Sequence, residues 1–372
     1  MSSGIEIKGN QALQEEVRAR GLCTLCGACS GMCPYHVPHQ GRMVTLDDCN
    51  LAQGRCYTFC PRTLTDLNLL SQTVFGVPYP ASEMGIVKEM LIARAAGSDL
   101  RARAQYGGTV TALVSFALRT GLIDTAVLTA SDGGMLPSGR AVRDEAGVLA
   151  CAGSNFVASP TLETFNREAA GDGQRIGVVA TPCQALALGK MRASPLENRN
   201  NIDKLTLVVG LFCTWALKYR DFAAFLGERA PLDQVIKLDI PPPPANVCEV
   251  YVNSTRVAIP LDQVRAFVRA TCHVCIDMTA EFADVSVGAA EGIEGWNTLI
   301  VRSDCGARLV EAARADGILE TAPLPDANLE HLKEAALLKK RRGLSNIVEK
   351  SGSKDDLLYL EPSREALRAL LS

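Results

Sequence analysis

Long apolar runs are missing from this sequence. The longest, Leu205 to Leu217, covers 13 residues and includes Cys213 and Thr214. That is too short to span a bilayer, so no membrane span is expected. The opening stretch, MSSGIEIKGN, has no apolar segment of the secretory kind, and a cytoplasmic location is expected. Charge of one sign is missing too. The 38 Lys and Arg face 41 Asp and Glu, a net charge of −3. Without a basic stripe, nucleic acid is not expected as a partner. Only four histidines occur, His36, His39, His273 and His331. None is placed for a nucleophilic triad, which argues against a hydrolase. No GxGxxG follows a strand, since Gly171-x-Gly173 precedes one, and there is no GxxxxGK[ST]. A standard dinucleotide fold and a P-loop are therefore not supported.

What is present is cysteine. The 372 residues carry 14, and seven of them fall between Cys23 and Cys60. In a chain of this size without a leader, such density points to metal or redox chemistry rather than disulfides. The length suits two or three domains. A composition of 47% hydrophobic and 21% charged residues is that of a globular protein.

The strongest motif is Cys23-x2-Cys26-x2-Cys29-x3-Cys33-Pro34. This is the bacterial ferredoxin run for a [4Fe–4S] cluster, and in two-cluster ferredoxins the fourth cysteine of each run ligates the other cluster. A zinc site built from CxxC pairs is the competing reading, but it needs neither the third spacing nor the Cys-Pro ending. A second run ends at Cys60–Pro61 and is degenerate. Cys56 and Cys60 are in place, Asn50 and Gln53 stand where two thiols belong, and Cys49 lies one residue early. A swapped arrangement gives one cluster Cys23, Cys26, Cys29 and Cys60. The other then has Cys33, Cys49 and Cys56. Asp47, Asp48 or a distant cysteine would complete it, or it is a three-iron cluster, or only one cluster forms.

A third set is dispersed. Cys183 follows a strand in TPCQ, Cys213 follows the next strand in GLFC, and Cys272 and Cys275 form a CxxC. Strand ends of an open α/β sheet converge on a crevice, so these four thiols suit iron–sulfur or zinc. Cys151, Cys248 and Cys305 read as structural. Gly107–Gly108 at a helix start lets a phosphate approach backbone amides, or is a plain turn. Lys339 to Arg342 read as a solvated helix end, with partner docking as the alternative.

The periodicities give an α/β core with a mostly parallel or mixed sheet, preceded by an N-terminal ferredoxin-like segment. The expected divisions are 1–75 for the iron–sulfur segment, 76–240 and 241–330 for two parts of the core, and 331–372 for a helical tail. Helices are expected at Gln11–Arg20, Gly108–Leu118, Ala185–Met191 and Gly306–Ala315. Strands are expected at Thr125–Ala130, Arg175–Ala180, Leu205–Phe212, 283–288 and 298–303. Pro241–Pro244 reads as a stiff linker, SDGGMLPSGR as a turn, Ala141–Cys151 as a hairpin arm, and Asn253–Ser254 as a hairpin turn. The segment 23–62 shows little apolar periodicity, so it is expected to bury little hydrocarbon and to need a cluster as a staple.

The ordered set QYGGTVTALVSFAL, SNFVASP, VATPCQALALGKM, VGLFC, CHVCIDMTAEFADVSVG and GWNTLIVRSDCG resembles the beta-subunit family of coenzyme F420-reducing hydrogenase and F420-dependent dehydrogenases. The likeness runs from about Tyr79 to Lys340. It implies FAD bound by the core, with contacts near Gly107, Gly108, Thr109, Ser154, Ser159, Thr181, Pro182, Gln184, Trp296, Asn297 and Arg302. It also implies a [4Fe–4S] cluster on Cys183, Cys213, Cys272 and Cys275, for two or three clusters in all. Two departures bear on the carrier. Tyr106 stands where an Asp precedes the Gly-Gly in deazaflavin-reducing members, and Ser154–Asn155 replaces a Thr-Lys pair.

The expected function is an iron–sulfur flavoprotein oxidoreductase. It links a two-electron carrier, F420-like or nicotinamide, to one-electron iron–sulfur carriers. The partners expected are subunits of hydrogenase, formate dehydrogenase or heterodisulfide reductase type, or ferredoxin. The alternatives are a ferredoxin-dependent reductase of an organic substrate and a non-catalytic electron-relay adaptor.

Overall fold

Eight strands build the central sheet: β1 (Glu89–Ala95), β2 (Thr125–Ser131), β3 (Pro137–Val142), β4 (Ile176–Ala180), β5 (Leu205–Leu211), β6 (Val285–Ala289), β7 (Asn297–Val301) and β8 (Leu319–Pro323). The computed structural model describes residues 6–80, 82–131, 134–241, 245–253 and 255–361. Their order is β8-β1-β7-β6-β5-β4-β2-β3. The inner strands β2, β4, β5 and β6 run parallel, and both flanks are antiparallel, so the sheet is mixed. The inner strands are near-continuous apolar runs because helices cover both faces. In β5, Leu207 and Val209 enter one core while Val208 enters the other.

Five helices matter for the site: α1 (Thr109–Arg119), α2 (Thr161–Ala170), α3 (Pro182–Ala193), α4 (Asp304–Ala315) and α5 (Asp326–Ser351). Helices α1 and α4 pack on one face, α2 and α3 on the other. A smaller three-stranded sheet, Val235–Asp239, Val247–Val252 and Thr255–Pro260, forms a second lobe with the helix Tyr219–Gly227. Phe222, Leu226, Val250 and Val264 fill its core. No described helix is long and apolar enough to cross a membrane.

Several expectations shift. Residues 141–151 are not a hairpin arm. The strand lies at Pro137–Val142, and Asp144 then caps a helix over Glu145–Ala150 by accepting from the Gly147 amide at 2.7 Å. Pro137 is tolerated because β3 is an edge strand. The strands on either side of the proline run pair with each other. Pro242–Pro244, Asp132, Gly133 and Ser254, within the expected linker and turns, lie outside the described residues, as do residues 1–5 and 362–372.

Segment 23–62 buries more than its pattern suggests. Leu25, Tyr57 and Phe59 are fully buried, and Tyr57 and Phe59 join Leu13 and Val17 in one core with Leu162, Phe165 and Leu186. Single apolar residues at irregular intervals do this, so periodicity gives no warning. The run at 339–342 also differs. Helix α5 continues through Gly343 to Ser351, and Lys339 and Lys340 are buried within it. Lys340 pairs with the buried Glu281 at 2.7 Å and bonds the Tyr79 hydroxyl at 3.0 Å.

Candidate functional site

A cavity of about 900 Å³ opens where β4, β5 and β6 end and α1 and α3 begin. This is where open α/β sheets bind ligands, and the volume suits a large organic cofactor. Gly108, in the left-handed region at φ +73°, precedes α1 and lines the cavity. Thr109 is fixed behind it, its amide donating to Asn297 Oδ1 at 3.3 Å and its hydroxyl to the Ala93 carbonyl at 3.0 Å. Asn297 in turn donates to the Gly288 carbonyl at 3.1 Å. A β-carbon at Gly107 would lie 2.8 Å from Asn297 Oδ1, which explains the residue type there.

Helix α3 starts at Pro182, a residue pre-shaped for a first turn. Gln184 closes the start twice. Its Oε1 accepts from the Thr181 amide at 2.8 Å, and its Nε2 donates to the Ser159 carbonyl at 3.1 Å. The TPCQ sequence thus holds Cys183 in the first helical turn, with its sulfur 3.4 Å from the Thr181 hydroxyl. Cys213 leaves β5 anchored by its amide to the Met278 carbonyl at 2.9 Å. The Cys272 sulfur accepts from the Ala216 amide at 3.3 Å. All four dispersed cysteines line the cavity. Burial raises Cys213 and Cys272, and the neighbouring thiols of the same four raise both further. Cys275 differs: burial raises it, but Lys339 and Arg62 outweigh that and hold it below the ordinary thiol value.

The N-terminal cysteines divide the same way. Cys29 is raised by burial and then by Cys23 and Cys60. Cys26 is raised by burial, then by Cys183 and Cys60. Cys56 is pushed up to about 11 by burial, then by Cys33 and Cys49. Two neighbourhoods result, Cys23, Cys26, Cys29 and Cys60 in one, Cys33, Cys49 and Cys56 in the other, with Cys56 also close enough to act on Cys29 and to feel Cys60. The first adjoins the dispersed set through Cys26 and Cys183, and Thr24 and Cys26 themselves line the cavity.

Buried cations test whether an anionic cluster fits these thiols. Lys190, on α3, is 1% exposed and donates to Thr63, Leu64 and Thr65 oxygens. Burial pulls it down to about 7, and Cys60 works against that. Arg62 donates to the Thr271 hydroxyl at 3.0 Å and the Pro61 carbonyl at 3.2 Å, and lies over the Tyr359 ring. Lys339 donates to the Cys213 carbonyl. Among the described residues none of the three has a carboxylate hydrogen-bond partner. Buried charge needs a counter-charge: Cys275 and Cys213, with Asp277, act on Lys339, and Tyr359, Cys275 and Cys183 act on Arg62, so thiolates of a bound iron–sulfur cluster would supply it there. No three described His, Cys, Asp or Glu side chains close around a point fit for one metal ion. Cysteine thiolates suit zinc or an iron–sulfur cluster, and a cubane spreads its ligands wider than a single ion does.

Of the expected flavin contacts, Gly108, Thr109, Ser154, Ser159, Thr181, Pro182, Gln184 and Asn297 line the cavity. Gly107, Trp296 and Arg302 do not. The Arg94 guanidinium covers the Trp296 ring at 4.4 Å. Arg302 is fully buried, and its five donors go to Ser286, Met84, Ile86 and Thr279 oxygens. Sequence reasoning missed Arg62, Lys190 and Lys339 as neighbours of the thiols. Lys339 was visible only as part of a basic run. Cys151 also lines the cavity, whereas Cys248 is buried in the second lobe and Cys305, in the first turn of α4, packs against the core on that face of the sheet.

Known proteins resemble this chain over most of its length. Residues 90–166 match the family model "Coenzyme F420 hydrogenase/dehydrogenase, beta subunit N-term", and residues 173–327 match its C-terminal counterpart. The coenzyme F420 hydrogenase subunit beta of Methanothermobacter thermautotrophicus is 31% identical over 273 residues, 71% of this chain and 95% of that one. The coenzyme F420-dependent sulfite reductase of Methanocaldococcus jannaschii is 26% identical over 88% of this chain, which spans 50% of that protein. A chain of the F420-reducing [NiFe] hydrogenase complex from Methanosarcina barkeri superposes with a TM-score of 0.66 at 27% identity, over 72% of this chain and 93% of that one.

Proposed function

The chain belongs to the coenzyme F420 hydrogenase/dehydrogenase beta-subunit family, and we propose that it is an iron–sulfur flavoprotein serving a larger redox complex. It exchanges a hydride with a two-electron carrier, F420-like or nicotinamide, and passes single electrons to iron–sulfur partners. One observation carries this reading: Cys183, Cys213, Cys272 and Cys275 gather at the wall of a 900 Å³ cavity that begins at two helix N-termini. Thr109 and Asn297 would hold the Gly108 backbone in place for FAD, and Pro182 would shape the wall beside it. Lys339 and Arg62 would balance the charge of the adjacent cluster. FAD supplies the chemistry that converts a hydride into two separate electrons. The chain's own part is to hold the ring near the thiols and to exclude water behind the second lobe.

The N-terminal cysteines extend the path. Cys26 and Cys183 both line the cavity and act on each other electrostatically, so electrons leaving the dispersed set would meet the Cys23, Cys26, Cys29 and Cys60 group next. Hydrogenase, formate dehydrogenase or heterodisulfide reductase subunits, or ferredoxin, are the partners this order suits.

Anaerobic isolation tests the reading. The chain is expected to hold one FAD and roughly 8–12 irons. Cys275→Ala should cost about four irons and loosen the FAD. Zinc in place of iron, or full iron in each of the four single variants at 183, 213, 272 and 275, would sink it.

A further inference from the structure

We propose that Cys33, Cys49 and Cys56 hold a cubane through three thiolates only, leaving one iron open at the protein surface. The inference rests on the iron–sulfur reading above and concerns a segment that precedes both matched family regions.

The backbone brings the three together. The hairpin of His36–His39 and Arg42–Thr45 is closed by the Leu46 amide donating to the Tyr35 carbonyl at 2.8 Å. Cys33–Pro34 and Asp47–Cys49 therefore leave the same end of it. Arg55 donates to the Met32 carbonyl at 3.2 Å, which ties the start of the Arg55–Thr58 helix to the residue before Cys33. Cys56 is the second residue of that helix and is buried, while Cys33 and Cys49 are half-buried. Among the thiols that raise Cys56, Cys33 and Cys49 come ahead of Cys60.

A fourth thiol has nowhere to come from. All fourteen cysteines are described. Four lie in the neighbouring N-terminal group and four at the cavity. The remaining three, Cys151, Cys248 and Cys305, sit in or beside the other cores. The two positions where the ferredoxin run would place thiols hold Asn50 and Gln53, both exposed. Asp47 accepts from the Asp48 amide at 2.8 Å, which turns its carboxylate back on its own turn. Leu46 and Leu51, 64% and 65% exposed, put the Cys49 stretch at the protein surface, where an open corner would meet solvent.

An iron without a protein thiolate is the first to leave on oxidation. The step is [4Fe–4S]2+ to [3Fe–4S]+ plus Fe2+ plus one electron, which ferricyanide accepts in the assay. The anaerobically loaded full chain is titrated with ferricyanide. Released Fe2+ is read with a chelator and the cluster by electron paramagnetic resonance. The expected result is about one Fe2+ per chain and a three-iron signal. Gln53→Cys, or Asn50→Cys if that variant folds poorly, should suppress both. Cys56→Ser should abolish both, and Cys26→Ser should leave both in place.

Wild-type protein that keeps all its iron and gives no three-iron signal would overturn the proposal. So would a signal lost in Cys26→Ser or Cys183→Ser but kept in Cys56→Ser. So would release that needs Asp48→Ala, which would give the fourth position to that carboxylate. Iron content unchanged in both Cys26→Ser and Cys56→Ser would instead defeat the N-terminal iron–sulfur reading itself.

Discussion

His36 shows how one side chain links the cysteine segment to pH. It is buried, and its Nδ1 accepts from Arg18 at 3.0 Å, while the same arginine reaches the Cys29 sulfur at 3.9 Å. Burial, then the Arg18 charge, lowers its pKa from 6.5 to about 4. The unfolded chain therefore takes up the proton first as pH falls. Stability from the neutral ring is complete above about 6.5 and is lost on the way down to about 4. Allowing for solvent screening, the loss from pH 7 to 4 amounts to about 1–2 kcal/mol. His36→Gln keeps an acceptor for Arg18 and removes the proton. Its urea midpoint should fall less than that of the unaltered chain over this range, and parallel profiles for the two would refute the assignment. Arg302 teaches the opposite lesson. Its place in the resembled motif suggests a ligand contact, yet all five donors are spent on protein oxygens. A sequence names a residue type, and only packing decides what that residue faces.

Elements ending in cysteine were legible because local pattern and chemistry coincide there. β4 and β5 are short apolar runs followed by TPCQ and GLFC, and both form as read, although α3 already starts at Pro182. Helix α2 escaped the reading, since TLETFNREAA carries only two large apolar residues. Its role is nonetheless specific. Asn166 donates to the carbonyls of Gly27, Ala28 and Ser30 and holds the cysteine loop on the helix. The loop can approach that closely only with glycine at 27, where φ is +90° and a β-carbon would lie 2.4 Å from the Pro160 carbonyl. Gly27→Ala should therefore cost about 2–4 kcal/mol from strain and overpacking together. It should also lower the N-terminal iron content while sparing the iron held at the cavity. Thermal melting and iron analysis of the variant check both. A melting point and iron content like those of the parent would show that the contact is not a constraint. The run from Lys339 was misread for a related reason. A basic stretch near a glycine looks like a solvated helix end until Glu281 and Cys213 are known to lie against it.

At the scale of the whole molecule, the ferredoxin-type motif suggests a detachable module, and the packing denies it one. A single core unites Leu13, Val17 and Phe59 with Phe165, Leu186, Leu344 and Tyr359. Thr65–Asp66 pairs in parallel with Leu360–Glu361 near the C-terminal end of the described chain. Tyr359 donates to the Val274 carbonyl at 2.9 Å, inside the CxxC, and carries the Arg62 guanidinium on its ring at 4.4 Å. Thr24 and Cys26 share the cavity wall with Cys183. Contacts so widely shared predict that the cysteine segment and the α/β core fold in one event. Removal of residues 1–60 would expose the apolar faces of α2 and α3 and breach the cavity on one side. The expected outcome is a truncated chain that aggregates or fails to retain flavin. The intact apo chain should melt in one transition, with tryptophan fluorescence and circular dichroism coincident. Two separated transitions, or a soluble truncated protein with full flavin, would restore the modular picture. The same sharing predicts how Cys26→Ser behaves: it should weaken flavin retention as well as lower iron, because the altered side chain stands in the cavity wall. Flavin bound as tightly as in the parent, at reduced iron, would show that the cysteine segment touches the cavity without supporting it.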